Sequence, residues 1–82
     1  MLRKQIMKDV EEIFRDVFDD ESVILTDETT AKDIEDWDSF MHIRLITAME
    51  EYFHIKFRLK EITGLQNVGE TINLIKRKME NI

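Results

Sequence analysis

Apolar residues return at spacings of three and four in three separate stretches of this chain, a period that belongs to amphipathic helices. In the first stretch Ile6, Val10, Ile13, Phe14 and Val17 are separated by Lys, Arg, Asp and Glu, which predicts a helix over roughly residues 3–18. In the second, Phe40, Ile43, Ile46, Met49 and Phe53 share one face of a segment running from Ser39 to Phe53, with Leu45, Ala48 and Tyr52 beside them. A stripe this wide exceeds one narrow seam, so this segment is expected to be the central helix, touched on several sides. In the third, Val68, Ile72, Ile75 and Met79 repeat at helical spacing. Asn67 followed three residues later by Glu70 resembles a capping box at its start. Lys76, Arg77 and Lys78 suit the negative end of its dipole.

The connections are less periodic. Phe53, Ile55, Phe57 and Leu59 alternate as a strand does, but no second alternating run exists to pair with them, and a lone strand leaves its hydrogen bonds unmet. Leu59 to Thr63 is expected to form one short helical turn closed by Gly64 in the left-handed conformation. His54 marks the end of the central helix. From Asp19 to Asp38 no helical period is sustained. There Val23-Ile24-Leu25 reads as a short buried turn or a strand fragment, and Ile34 and Trp37 as anchors into the core. So long a connection is usually functional, or crosses from one end of a bundle to the other. The expected fold is all-α: a small bundle of three principal helices plus one short helix, with a long loop between the first and second helices. Residues 1–82 read as a single domain.

Charge and composition narrow the function. The chain has no cysteine, so neither disulfides nor thiolate metal sites are available, and folding without staples fits a cytoplasmic setting. No apolar run is long enough for a signal-peptide core or a membrane span. The net charge of −6 disfavours nucleic acid and anionic membranes and favours proteins with basic patches. Nine of the 18 carboxylates lie between Asp19 and Asp38 with one basic residue, Lys32. Such a zone is either a solvated acidic loop or an attractive surface for a basic partner. The chain is expected to act as a monomer.

The stretch Asp36-Trp37-Asp38-Ser39-Phe40 carries the most chemistry. It places a serine at the first turn of the central helix, where unpaired backbone N–H groups and a partial positive charge suit a phosphate ester. Asp38 beside it could contribute to a metal ion held by an enzyme that transfers a phosphate-containing group to Ser39. Asp and Ser are also ordinary helix caps, so the pair alone does not decide. A Ser39–His42 nucleophile pair lacks an orienting third group and a shaped pocket, and His42 reads as an exposed polar histidine. His42 and His54 are too few for a metal site. Asp27, Glu28, Asp33, Glu35 and Asp36 lack the ligand alternation, central glycine and final glutamate of a calcium loop.

Asp38-Ser39 followed by an apolar residue, then Ile43, Leu45-Ile46, Ala48-Met49-Glu50-Glu51, Phe53, Ile55 and Phe57, resembles the second helix of acyl carrier proteins. The order of elements resembles that family along nearly the whole chain. In the family the serine receives 4′-phosphopantetheine from coenzyme A. The resemblance therefore implies that Ser39 is the attachment point, Asp38 its acidic neighbour, and Phe40 and Ile43 the apolar residues bordering the arm. It implies a non-catalytic carrier of acyl or aminoacyl thioesters, served by a phosphopantetheinyl transferase and by acyl-loading and acyl-transferring enzymes with basic docking patches. An acyl chain could fold back against Ile43, Ile46, Ile62, Leu65 and Ile72. Members from fatty-acid synthesis show a glycine shortly before the Asp-Ser pair and carboxylates along the second helix. This chain has Trp37 and a docking face of Met41, His42 and Arg44 instead, which resembles carriers of specialised pathways such as polyketide-like, aminoacyl or polysaccharide-modifying systems. The competing reading is an unmodified acidic helical adaptor for a basic protein partner.

Overall fold

The structure, a computed structural model, describes residues 2–80. It contains four α-helices: α1 Arg3–Val17, α2 Ser39–Phe53, α3 Leu59–Thr63 and α4 Val68–Glu80, with a single 3-10 turn, Ala31–Asp33, in the long loop. Among the described residues there is no strand, and no helix is long and apolar enough to cross a membrane. The helix α1 ends because Asp19 turns left-handed at φ 50°, letting the Asp20 N–H reach the Arg15 carbonyl at 3.0 Å and the Asp19 N–H the Asp16 carbonyl at 3.3 Å. His54, at φ 57°, ends α2 in the same way, with the Ile55 N–H on the Glu50 carbonyl at 3.2 Å. Gly64 departs from expectation. It sits at φ −88°, ψ −7°, a right-handed conformation open to any residue.

One core joins Ile6, Val10, Ile13 and Phe14 of α1, Leu45, Ile46, Met49 and Phe53 of α2, and Val68, Ile72, Leu74 and Ile75 of α4. The extensive helix pairs are α1 with α2 and α1 with α4. The central position therefore belongs to α1, not to α2 as its wide stripe implied. The reason lies at the head of α2, where Phe40 is 68% and Ile43 64% exposed. Its apolar stripe is buried only from Leu45 onward, and the first turns are left to solvent. The alternating segment after α2 keeps its period without a partner strand: Ile55 and Phe57 are buried, while Leu59 is exposed. The Phe57 N–H finds the Glu50 carboxylate at 2.8 Å instead of a ladder.

The long loop is pinned by α1 and α4. Val23 and Leu25 enter the core and Ile24 between them stays exposed. Charges on the outer face of α1 hold this segment, with the Arg15 Nε–H on the Val23 carbonyl at 2.9 Å and the Leu25 N–H on Glu11 at 2.9 Å. Further on, the loop carbonyls cap α4. Val68 donates to the Thr29 carbonyl and Gly69 to the Asp27 carbonyl, both at 2.9 Å. The capping-box expectation holds in one arm, since the Glu70 N–H donates to Asn67 at 2.9 Å. The return arm reaches one residue further back, to the Gln66 N–H at 2.7 Å.

Gly69 is where the loop and α4 come closest. A Cβ on it would lie 3.0 Å from the Asp27 carbonyl oxygen and Cβ and 3.2 Å from its Cα. In an ordinary helix Gly→Ala is stabilising by about 1 kcal/mol. Here overpacking against backbone reverses the sign, and Gly69→Ala is expected to destabilise by about 1–3 kcal/mol. Thermal unfolding of the two proteins measures it. An unchanged or raised melting temperature would show that the Asp27 loop yields freely.

Candidate functional site

Ser39 is the first residue of α2, and its side chain stands exposed. The residue before it does the capping: Asp38 has extended backbone, and its Oδ1 accepts the Met41 N–H at 2.9 Å. Its carbonyl accepts the His42 N–H at 2.9 Å. Capping thus occupies one carboxylate oxygen of Asp38, and no hydrogen bond within the described residues uses the other. The turn into the helix is made at Asp36, where φ is 69° and the carbonyl accepts the Asp38 N–H at 3.0 Å. Left-handed backbone favours glycine. Asp36 holds that conformation three residues before Ser39 without being glycine.

Trp37 ties this turn to the core. Its ring lies edge-on to Phe14, centroids 5.1 Å apart at 85°, and 6.4 Å from Phe18. Its indole N–H donates to His42 Nδ1 at 3.2 Å, and the two rings stack with centroids 5.9 Å apart at 25°. His42 is therefore not the exposed polar residue expected from the sequence. It is partly buried, and burial pulls its pKa below the usual histidine value. The helical period of α2 could not reveal this, because the covering ring comes from the loop ahead of the helix.

A groove of about 490 Å³ lies beside Ser39, lined by Trp37, Asp38, His42 and Ile43 at the head of α2, by Leu65, Asn67 and Thr71 around the start of α4, and by Thr30 and Ala31 of the long loop. Two of the five residues expected as its apolar walls, Ile43 and Leu65, line it. Ile46 and Ile72 are core residues instead, 6% and 0% exposed, and Ile62 packs against the core away from it. Both are drawn inward because α1 packs on the faces that carry them. Thr30 and Ala31 were missed, since loop residues reach the site only through the capping of α4 by Asp27 and Thr29, and Thr71 joins them from α4 itself. Phe40 stands exposed next to Ser39. Met41 and Arg44 share a face as their spacing implied, with Arg44 Nη1 3.8 Å from the Met41 sulfur. Among the described residues no three His, Asp or Glu side chains converge as metal ligands do.

Neither a protein-family model nor a curated protein matches the sequence. Solved structures do. The chain superimposes on the solution structure of a holo acyl carrier protein from Geobacter metallireducens with a TM-score of 0.88 and 43% identity, over 93% of this chain and 87% of that one. It superimposes on the crystal structure of an acyl carrier protein from Thermotoga maritima with a TM-score of 0.82 and 25% identity, over 96% of this chain and 92% of that one. With the helix order, the serine-headed α2 and identity at this level over nearly the full length, the chain belongs to the acyl carrier protein family.

Proposed function

We propose that this chain is a carrier, holding acyl or aminoacyl intermediates as thioesters on a 4′-phosphopantetheine arm joined to the Ser39 hydroxyl through a phosphodiester. The observation that carries the reading is an exposed hydroxyl at the first residue of a 15-residue helix, in a chain 43% identical to a holo acyl carrier protein. The residues present fit the group. Ser39 is reachable, the positive end of the α2 dipole favours a phosphate there, and the groove beside it offers both polar and apolar walls. When attached, the arm supplies a thiol on a flexible tether. Ser39 is the anchor, Ile43 and Leu65 give apolar contact along the groove, and Phe40 stands exposed beside the attachment point. The free oxygen of Asp38 is available to the metal ion of the transferase. The chain's own residues perform no bond-making on the cargo, which is the work of partner enzymes, and residues 1–82 act as one carrier unit. Its lack of cysteine suits the cytoplasm. The adaptor reading gives no reason for the serine-headed helix or for the likeness to a holo carrier.

Incubation with coenzyme A and a broad-specificity phosphopantetheinyl transferase, followed by intact mass and peptide mapping, tests the assignment. One phosphopantetheine increment on the peptide containing Ser39 supports it. A chain that stays at its unmodified mass beside a modified control carrier overturns it.

Partner choice follows from charge. Arg44 is exposed on the turn of α2 after Ser39, where a docking enzyme approaches, and it repels the basic patches that read an acidic carrier helix. The acidic loop still attracts them. Discrimination by an introduced repulsion points to a pathway other than general fatty-acid synthesis. Arg44→Glu is expected to raise loading of the holo protein by a fatty-acid malonyl transferase by about three- to tenfold at low salt, with the gain shrinking as salt screens exposed charges. Wild-type loading equal to that of an ordinary fatty-acid carrier would remove the specialised-pathway reading.

A further inference from the structure

The His42–Trp37 pair is built more elaborately than docking needs. Neutral imidazole carries one proton, and Nδ1 accepts the indole N–H at 3.2 Å, so the ring proton sits on Nε2. Nε2 has no hydrogen-bond partner among the described residues. No polar side-chain atom of a non-exposed residue there is both buried and unpartnered, so Nε2 reaches solvent. His42 borders two cavities. The smaller, against Val10, Phe14 and Leu45, has a volume of about 10 Å³. The other is the groove that His42 shares with Ser39. His42 thus lines the same groove as Ser39, one helical turn from it, on side chains that neighbour each other by their spacing of three.

We propose that His42 is a binding residue for the prosthetic arm, its Nε2–H donating to a phosphodiester oxygen next to Ser39 while Trp37 holds the ring in place. The inference rests on the reading that Ser39 carries the arm. Trp37 fixes both tautomer and orientation, as a second hydrogen bond to a functional imidazole does elsewhere. Its own position is set by Phe14 and Phe18. The anchor thus runs from the core of α1, through the loop, to the groove. Among the side chains lining the two cavities, Asp38 is the one charged group. It is present with or without the arm, so the phosphodiester is the added charge that His42 experiences on modification. An anion beside the ring favours imidazolium, which keeps the Nε2–H and gives up the bond from Trp37.

The test compares wild-type apo and holo protein by NMR. The imidazole Cε1–H signal of His42, assigned by its absence in His42→Gln, is followed against pH in both forms, with the phosphorus signal of the holo form in parallel. Attachment is expected to move the His42 midpoint up by about half a pH unit. The phosphorus signal should inflect at that same midpoint and lose the inflection in holo His42→Gln. A midpoint that is unchanged, or moves down, in verified holo protein overturns the role of His42 and leaves the role of Ser39 intact. A chain that never gains the mass of the arm overturns both. The decisive comparison uses wild-type protein alone, so it stands even if His42→Gln folds poorly.

Discussion

Ser39→Ala is expected to abolish phosphopantetheine attachment completely while leaving thermal unfolding near that of the wild type. The two halves of that expectation have separate causes. The Ser39 side chain is exposed and makes no hydrogen bond within the described residues. The N–H groups at the start of α2 are served by Asp38, not by the serine. Alanine is a good helix former, and surface changes away from caps and cores usually stay within about 0.5 kcal/mol. Asp38→Ala removes the cap and is the natural contrast, since losing an N-cap costs about 1 kcal/mol. Intact mass after transferase treatment, with melting temperature measured on the same samples, separates the two effects. A Ser39→Ala chain that still gains the increment would place the arm elsewhere. One that also loses several kcal/mol of stability would give Ser39 a structural role that its surroundings do not suggest.

The features that local chemistry determines could be read from the sequence. The spans of α2 and α3, the role of Asn67 as the cap of α4, the end of α2 at His54 and the placing of Ser39 at a helix head follow from spacing and capping alone. Long-range features could not. Periodicity gave α2 a wide apolar stripe, but it does not say which part of a stripe meets a neighbour. Phe40 and Ile43 stay exposed because α1 packs against the later turns. The same limit applies to left-handed backbone. Glycine is the usual signal, yet all three left-handed residues are Asp19, Asp36 and His54 among those described, while neither glycine is left-handed. Asp and His tolerate this region better than most side chains, so a search for glycine looks in the wrong places. The two glycines mark other things: Gly64 nothing conformational, and Gly69 a close approach of two backbones. His42 was misjudged because its neighbour Trp37 arrives from outside the helix, at a spacing no wheel relates.

Trp37 is the residue through which stability and site meet, and its removal is expected to have the largest energetic effect of any change near Ser39. Trp→Ala in a full core costs about 3–5 kcal/mol. Trp37 is partly buried, so Trp37→Ala should lose about 2–4 kcal/mol, enough to lower the melting temperature of a domain this size by more than ~10 °C. Trp37→Phe keeps a ring against Phe14 and Phe18 but deletes the indole N–H, and should lose about 1 kcal/mol. The two variants also differ from wild type in pH dependence. Burial holds His42 below the ordinary value of 6.5 in the folded chain, so the unfolded chain binds the proton first as pH falls. Stability from this source is complete above 6.5 and is lost as pH falls through the lower folded value. With the indole donor gone from Nδ1, protonation no longer breaks a hydrogen bond, and the folded value should rise toward that of the unfolded chain. Melting temperatures of wild type and Trp37→Phe between about pH 7.5 and 5.5 should therefore converge as pH falls. Parallel curves would mean that His42 titrates alike with and without its indole partner, and that the bond between the two rings has no influence on the imidazole it holds.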